Sequence, residues 1–354
     1  MAETTDSADD IVIAPATQEE ILAAEAQNAS QMELFASAVS SDQSNSIHLY
    51  DTAPKYNYTK RKRHVTESAF DRRKMTIAKI DYEVEVQAAR IEVDGTEVLM
   101  PPSEREEHIE DALRKLATSG NGVFINGEAG VKFTLYELQK ELSKHGHTYD
   151  WGQLREGLYI MRRSGLKLTN KMTGESWEEN FLSRLVEGGR RKNQDGTSYE
   201  PWYAGFHKLV TKSINDMTYR QINYPLLMSI KGLLAKYIFK RMVAVYTYAN
   251  LERPYEPTLV QILEESGRGL SDEMKNNIKA VRRAFDQLIE RGVLIKVEET
   301  ERHKQGNKVI NIRFALYPTE SFVSDVISAN AKQKEIKAKH GQRELARIKA
   351  GLEN

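Results

Sequence analysis

The chain contains no cysteine in 354 residues, which excludes disulfides, a thiolate nucleophile and cysteine-ligated zinc and fits a reducing cytoplasm. It also lacks a long uncharged apolar run, so no segment is expected to span a membrane, and its acidic N-terminus is unlike a secretory signal. Net charge is missing too, with 51 Lys and Arg balanced by 51 Asp and Glu. That balance conceals an asymmetry. Residues 1–50 hold nine of the acids and no Lys or Arg, so the remainder carries 42 acidic against 51 basic residues, about +9, compatible with a polyanionic partner. With 40% hydrophobic and 29% charged residues, the chain is long enough for two globular domains plus tails.

The clearest pattern runs from Pro225 to Tyr317. Pro225 suits a first helical position, and Leu226, Ile230, Leu233, Tyr237, Ile238, Val245 and Tyr246 recur at helical spacing, predicting one long helix. Pro254 and Pro257 break it, and Leu259, Ile262 and Leu263 form a short second helix ending at Gly267. From Asp272, a candidate N-cap, Met274, Ile278, Val281, Phe285, Leu288 and Ile289 give a buried stripe that leaves Lys275, Asn276, Lys279, Arg282 and Arg283 outside it. After Gly292, Val293, Ile295 and Val297, then Ile310, Ile312 and Phe314, alternate about the turn His303–Asn307, predicting a two-stranded hairpin. Three helices followed by such a hairpin read as a winged-helix module. In that geometry the basic third helix enters the major groove, with Lys304 and Lys308 of the wing beside the phosphates. For an isolated helix the same cations would be a solvated face; the order of the elements favours DNA.

Upstream, residues 1 to about 50 are poor in large apolar side chains and are expected to be mostly disordered. Lys55, Lys60, Arg61, Lys62, Arg63, Arg72, Arg73 and Lys74, with Tyr56 and Tyr58 among them, read equally as a solvated linker or as an arm touching phosphates. Alternation from Tyr82 to Met100 about Asp94-Gly95 predicts a hairpin. Ser103 and Glu106 form a capping box ahead of a helix that buries Ile109, Ala112, Leu113 and Leu116. A second, weaker winged helix follows. Thr134 with Glu137 caps a helix carrying Leu135, Leu138 and Leu142, and Asp150 caps another with Leu154, Leu158 and Met161 inward and Arg155, Tyr159, Arg162 and Arg163 available elsewhere. From Leu166 through the Gly188–Gly196 loop to Ile214 we expect an antiparallel sheet, whose core is the expected place for Trp202, Tyr203 and Phe206.

Short stretches also resemble known proteins. Phe133-Thr134-Leu135-Tyr136-Glu137-Leu138 resembles a run in the first module of plasmid replication initiators of the RepA and TrfA kind. Lys240-Arg241-Met242, Glu252-Arg253-Pro254-Tyr255 and the basic helix resemble parts of their second module. Gln31-Met32-Glu33-Leu34-Phe35 resembles the peptide by which bacterial replication proteins engage the sliding clamp, with Gln31, Met32, Leu34 and Phe35 as anchors. The resemblance implies a non-catalytic bacterial protein that needs no cofactor or metal. It would bind double-stranded direct repeats at an origin, open an adjacent A·T-rich region to single strands, recruit helicase or its loader and the clamp, and exchange between monomer and dimer. Lys275, Asn276, Lys279, Arg282, Arg283, Lys304 and Lys308 would meet each repeat, and contact through Arg155, Arg162 and Arg163 stays open.

The expected architecture is α+β, two tandem winged-helix domains behind a disordered acidic tail. The divisions are 1–54 for the tail with the clamp-type peptide, 55–80 for the basic arm, 81–215 for a first domain that also dimerises, 216–318 for the DNA-reading domain, and 319–354 for a charged C-terminal tail. Two alternatives remain. A winged-helix transcriptional repressor would share the basic helix. A metal-dependent rolling-circle nicking enzyme would need a His pair on a strand, and His145-Gly146-His147 has Gly at its centre and lies at a predicted helix end, where an exposed loop is expected. Gly127–Lys132 lacks the spacing of a phosphate-binding loop.

Overall fold

The computed structural model describes residues 29–36, 42–59, 62–192 and 198–352. The expected disorder of residues 1–28, the cations Lys60 and Arg61, and Gly196 lie outside the described residues. Helices and antiparallel strands are mixed throughout, and the buried side chains form two large clusters joined by a polar seam.

The first cluster is built from α1 (residues 29–36), β1 (Gln43–Ile47), α2 (His48–Asp51), β2 (Arg63–His64), β3 (Phe70–Ile77), β4 (Ile80–Gln87), β5 (Ala89–Val93), β6 (Thr96–Met100) and α3 (Glu104–Leu116). After a π-turn at Ala117–Asn121 come β7 (Gly122–Ile125), β8 (Glu128–Phe133), α4 (Leu135–Ser143), α5 (Trp151–Arg163), β9 (Gly165–Asn170), β10 (Ser176–Asn180) and β11 (Leu182–Glu187). The short pair β12 (Arg191–Lys192) and β13 (Ser198–Tyr199) leads to β14 (Trp202–Phe206), α6 (Lys208–Asn215) and β15 (Tyr219–Asn223). Two four-stranded sheets result, ordered β10-β9-β4-β3 and β11-β14-β8-β7, beside a small β2-β6-β5 sheet and the pair β1-β15.

Local chemistry sets the helix starts. The Glu106 carboxylate accepts from the Ser103 N–H at 2.8 Å. Thr134 Oγ1 accepts from the Glu137 N–H at 3.1 Å while Glu137 accepts from the Thr134 N–H at 2.8 Å, and Asp150 and Gln153 exchange an equivalent pair. Each box satisfies backbone donors that a first turn leaves unpaired. Asp94-Gly95 turns β5 into β6 with both residues at positive φ. A hairpin not predicted from sequence joins β3 to β4 through Ala78-Lys79, also at positive φ (51° and 67°), a turn that carries no Gly or Asn to announce it.

The second cluster comprises α7 (Tyr224–Ser229), α8 (Leu233–Val245), α9 (Leu259–Glu265), α10 (Met274–Glu290), β16 (Leu294–Gln305) and β17 (Lys308–Pro318), closed by α11 (Glu320–Leu352). Ile238 and Met242 of α8, Leu259, Ile262 and Leu263 of α9, and Val281, Phe285 and Leu288 of α10 meet Leu294, Ile312, Phe314 and Leu316 of the hairpin. Phe322 and Val326 of α11 cover the same cluster. Aliphatic and aromatic burial on this scale, roughly 1.5–3 kcal/mol per large side chain, is what holds three short helices on one hairpin.

Several expectations need correction. The single helix from Pro225 is two, because the backbone is extended at Ile230 and Gly232 sits at φ 81°, a conformation that side chains with Cβ resist, between α7 and α8. Residues 208–215 form α6 rather than sheet: Leu209, Val210 and Ile214 are buried at helical spacing, and the His207 side chain accepts from the Leu209 N–H. The basic arm is not a free arm where it is described. Lys55 and Tyr56 are buried, Arg63 pairs with Asp71 at 2.7 Å, and Arg73 donates to the Pro54 and Tyr56 carbonyls. The C-terminal tail is helical, and Arg220 and Asn223 of β15 hydrogen-bond its Asn330 and Asp325.

The largest departure concerns the clamp-type peptide. Residues 29–36 are helical, and Gln31, Met32, Leu34 and Phe35 are all buried, Phe35 completely. The Phe35 ring meets Tyr219 edge-on at 4.9 Å, and its carbonyl accepts from Asn45 at 2.8 Å. These side chains belong to the first cluster instead of a disordered tail. Their amphipathic pattern serves a core.

The seam between the clusters is ionic. Lys240 of α8 donates to Glu107 at 2.8 Å and to Asp111 at 2.9 Å, both on α3, and all three are buried. Burial opposes charge on Lys240, yet Asp111 and Glu107 outweigh it and raise its pKa. A second tie is made to backbone. Arg241 donates to the Thr76 carbonyl at 3.1 Å, and Glu265 accepts from the Thr76 N–H at 3.3 Å, while the two side chains pair at 2.6 Å. Lys240, Arg241 and Met242, which carried part of the resemblance, thus assemble the molecule and do not face outward.

Candidate nucleic-acid interface

The site is built on α10. Val281, Ala284, Phe285 and Leu288 are buried, and the Phe285 ring meets Phe314 edge-on at 5.0 Å, fixing the helix on the hairpin. Its opposite face carries Lys275, Asn276, Lys279, Arg282 and Arg283, all exposed. The periodicity therefore placed the five side chains on the outer surface, as expected. Their starting turn is set differently. Asp272 does not cap the helix; Glu273 occupies the N-cap without a side-chain bond. Buried Asn277 does the organising, accepting from the Ser271 N–H and donating to the Ser271 carbonyl, each at 2.8 Å. The preceding helix α9 is capped by Thr258, and Gly267 at φ 79° ends it where a Cβ would lie 2.8 Å from the Arg73 guanidinium.

The hairpin is longer than its alternation implied, since only Gly306-Asn307 lie between the strands and His303 to Gln305 remain in β16. Ile312 and Phe314 point inward, whereas Ile295 and Ile310 are 58% and 46% exposed and face solvent. Lys304 and Lys308 flank the tip, exposed and without an ion pair among the described residues. Lys279 and Arg283 are likewise unpaired among the described residues, while Lys275 lies 3.2 Å from Glu273.

Sequence reasoning missed the link between helix and hairpin. Glu299 on β16 accepts from Arg282 with one carboxylate oxygen and from Arg302 with the other. Partial burial works against its charge, but these two guanidiniums prevail and hold the carboxyl below the usual range. Glu299 and Arg302 were hidden in the mixed-charge run Glu298 to Lys304, where periodicity gives no cue to a contact with a helix 17 residues away.

The first-module candidates are less open. Arg155 lies 3.2 Å from Glu200 and 3.5 Å from Glu187, with its guanidinium over the Trp202 ring. Arg163 stacks over Tyr159, and Arg162 is half-buried with its carbonyl accepting from Asn180. Among the described residues none of these three hydrogen-bonds or ion-pairs with α10. Trp202, Tyr203 and Phe206 are buried in the sheet core, as expected.

The histidine pair is not an exposed loop. His147 is half-buried, donates its Nε2–H to the Met228 carbonyl at 2.8 Å, and lies 3.8 Å ring to ring from His108. The described residues contain no group of three or more His, Asp or Glu placed to hold a metal. Nor do they include a helix long and apolar enough to cross a membrane.

Neither a family model nor a curated protein matches the sequence. Similar solved structures include RctB domains 2–3, at TM-score 0.44 and 11% identity over 80% of this chain and 99% of that one. A selenomethionine derivative of RctB domains 2 and 3 gives 0.43 and 10% over 72% and 93%. The Pi initiator protein in complex with iteron DNA gives 0.37 and 12% over 61% and 96%. All three scores fall below 0.5.

Proposed function

We propose that this chain is a non-catalytic, double-stranded DNA-binding protein that acts as an initiator at repeated origin sites in a bacterial cytoplasm. The carrying observation is α10: a helix locked through Phe285 and Leu288 whose outer face presents Lys275, Lys279, Arg282 and Arg283 beside a hairpin tipped by Lys304 and Lys308. Helix width and guanidinium geometry suit a major groove, where Arg donates to guanine O6 and N7, and the hairpin lysines suit the flanking phosphates. On this reading the chain is a tandem winged-helix protein whose second module, 216–318, reads the site.

The initiator role comes from the sequence resemblance, with helicase or its loader, the clamp and a second copy as the partners that role requires. Because Gln31, Met32, Leu34 and Phe35 are packed inside, clamp capture through them requires α1 to leave its core. A salt-titrated binding assay on fragments of the replicon carrying the gene tests the proposal. Selective binding to a repeat-bearing fragment, with affinity falling steeply in salt and lost in Lys279→Ala, Arg282→Ala, supports it. Equal weak binding to every fragment by both proteins removes it.

A further inference from the structure

Arg282 stands where a base-reading side chain would stand, yet it does not point freely into solvent. Its Nη2 donates to Glu299, leaving Nε and Nη1 without another partner among the described residues. Arg302, three residues along β16, donates its Nη2 to the second oxygen of the same carboxylate. Glu299 is 25% exposed, against 57% for Arg282 and 43% for Arg302, so the acid lies beneath the two cations. An exposed ion pair contributes little to stability. A carboxylate bridging two guanidiniums from different elements does something else: it removes rotational freedom from both and cancels one positive charge at the surface.

We propose that Glu299 is a positioning residue of the DNA interface, one that orients the remaining donors of Arg282 and Arg302 toward duplex DNA and weakens attraction to DNA of arbitrary sequence. This holds only if α10 reads duplex DNA, as proposed above. The physical logic is a separation of terms. Phosphate attraction is indifferent to sequence and grows with every uncompensated cation. Base discrimination depends on two adjacent N–H donors of one guanidinium, such as Nη1 with the second hydrogen of Nη2, meeting O6 and N7 together, which a fixed side chain achieves at a smaller entropic cost. Glu299 therefore acts against affinity and in favour of selectivity.

The test uses the full chain and two probes: a short random-sequence duplex, and a duplex enriched from a random pool by the unmodified protein. Glu299→Gln keeps the shape and removes the charge. It should tighten binding to the random duplex about fivefold and steepen its salt dependence. The ratio of enriched to random affinity should fall about tenfold. Glu299→Asp keeps the charge but shortens the reach, so the ratio should fall while random-duplex affinity stays unchanged. Combining Glu299→Gln with Arg282→Ala and Arg302→Ala should cost no more selectivity than the two arginine substitutions alone, because the acid acts through both arginines. Equal tightening on both probes by Glu299→Gln would overturn the proposal, leaving the acid a mere subtraction of charge. Additive losses in the combined variant would overturn it as well. If the unmodified protein binds neither probe and enriches nothing, the DNA-binding reading fails first and Glu299 has no such role.

Discussion

Replacing Phe35 with Ala should destabilise the first cluster by about 3–5 kcal/mol, the usual cost of deleting a buried ring and leaving a cavity. Phe35 is fully buried, with Tyr219 edge-on to its ring and Asn45 bonded to its carbonyl, so collapse around the gap is restricted from two sides. Leu34→Ala should cost about 2–5 kcal/mol, and the double variant less than the sum, because the neighbours share one cavity. Urea titration followed by near-ultraviolet circular dichroism measures this. The sequence expectation makes the opposite forecast: anchors of a free peptide can be removed without loss of stability. A Leu34→Ala, Phe35→Ala protein as stable as the parent, yet unable to bind a sliding clamp, would refute the packing described here. Lost stability with unaltered clamp binding would show that these residues serve the core alone.

Other consequences follow from the same contacts. Lys240→Met should cost about 3–5 kcal/mol, since it leaves Glu107 buried without its cation and Asp111 with Arg114 alone; a loss below about 1 kcal/mol by urea titration would overturn the ionic-seam account. Asn277→Ala should cost about 1–3 kcal/mol by stranding the Ser271 N–H and carbonyl, seen as faster amide exchange at the start of α10. Stability should fall on acidification. Burial depresses His108 to about 2 and His207 to about 4, from 6.5, so the unfolded chain binds the extra protons. Their contribution is complete above pH 6.5 and falls by about 1.4 kcal/mol per pH unit per histidine below it, His207 levelling off near its folded value. Glu110 adds a further loss below its ordinary 4.5, because burial raises its pKa but Lys55 and Arg114 more than offset that and hold it at about 2. A Tm that is flat between pH 7 and 5 would contradict this.

What the sequence disclosed were features with short-range causes. Thr134 with Glu137 announces α4, and Asp150 announces α5, because a cap and the N–H it accepts from lie three residues apart. The stripe of α10 announces both its buried face and its cationic one. What stayed hidden depends on distant partners. Helix α3 looked amphipathic, yet Glu107, Glu110, Asp111 and Arg114 are all buried, paired with Lys240, Lys55, Tyr50, Tyr56 and Asp51 from elsewhere in the chain. Charge normally signals solvent, and nothing local contradicted that signal. Strand β3 reads as a basic linker since Arg72, Arg73 and Lys74 follow one another with no apolar residue between them, and its turn lacks Gly. The Glu299 bridge belongs to the same class: each charge is visible, but their meeting is made by the fold.

The central claim is that α10 lies against the duplex, and the lack of native cysteine allows it to be tested by placing single ones. An iron chelate attached at Asn276→Cys should cleave DNA within the bound site, and one at Lys304→Cys should cleave at its flank. The same chelate at Met172→Cys, 74% exposed on the turn between β9 and β10, should cleave weakly. Strong cleavage from position 172 with none from 276 would put DNA on another face and contradict the account.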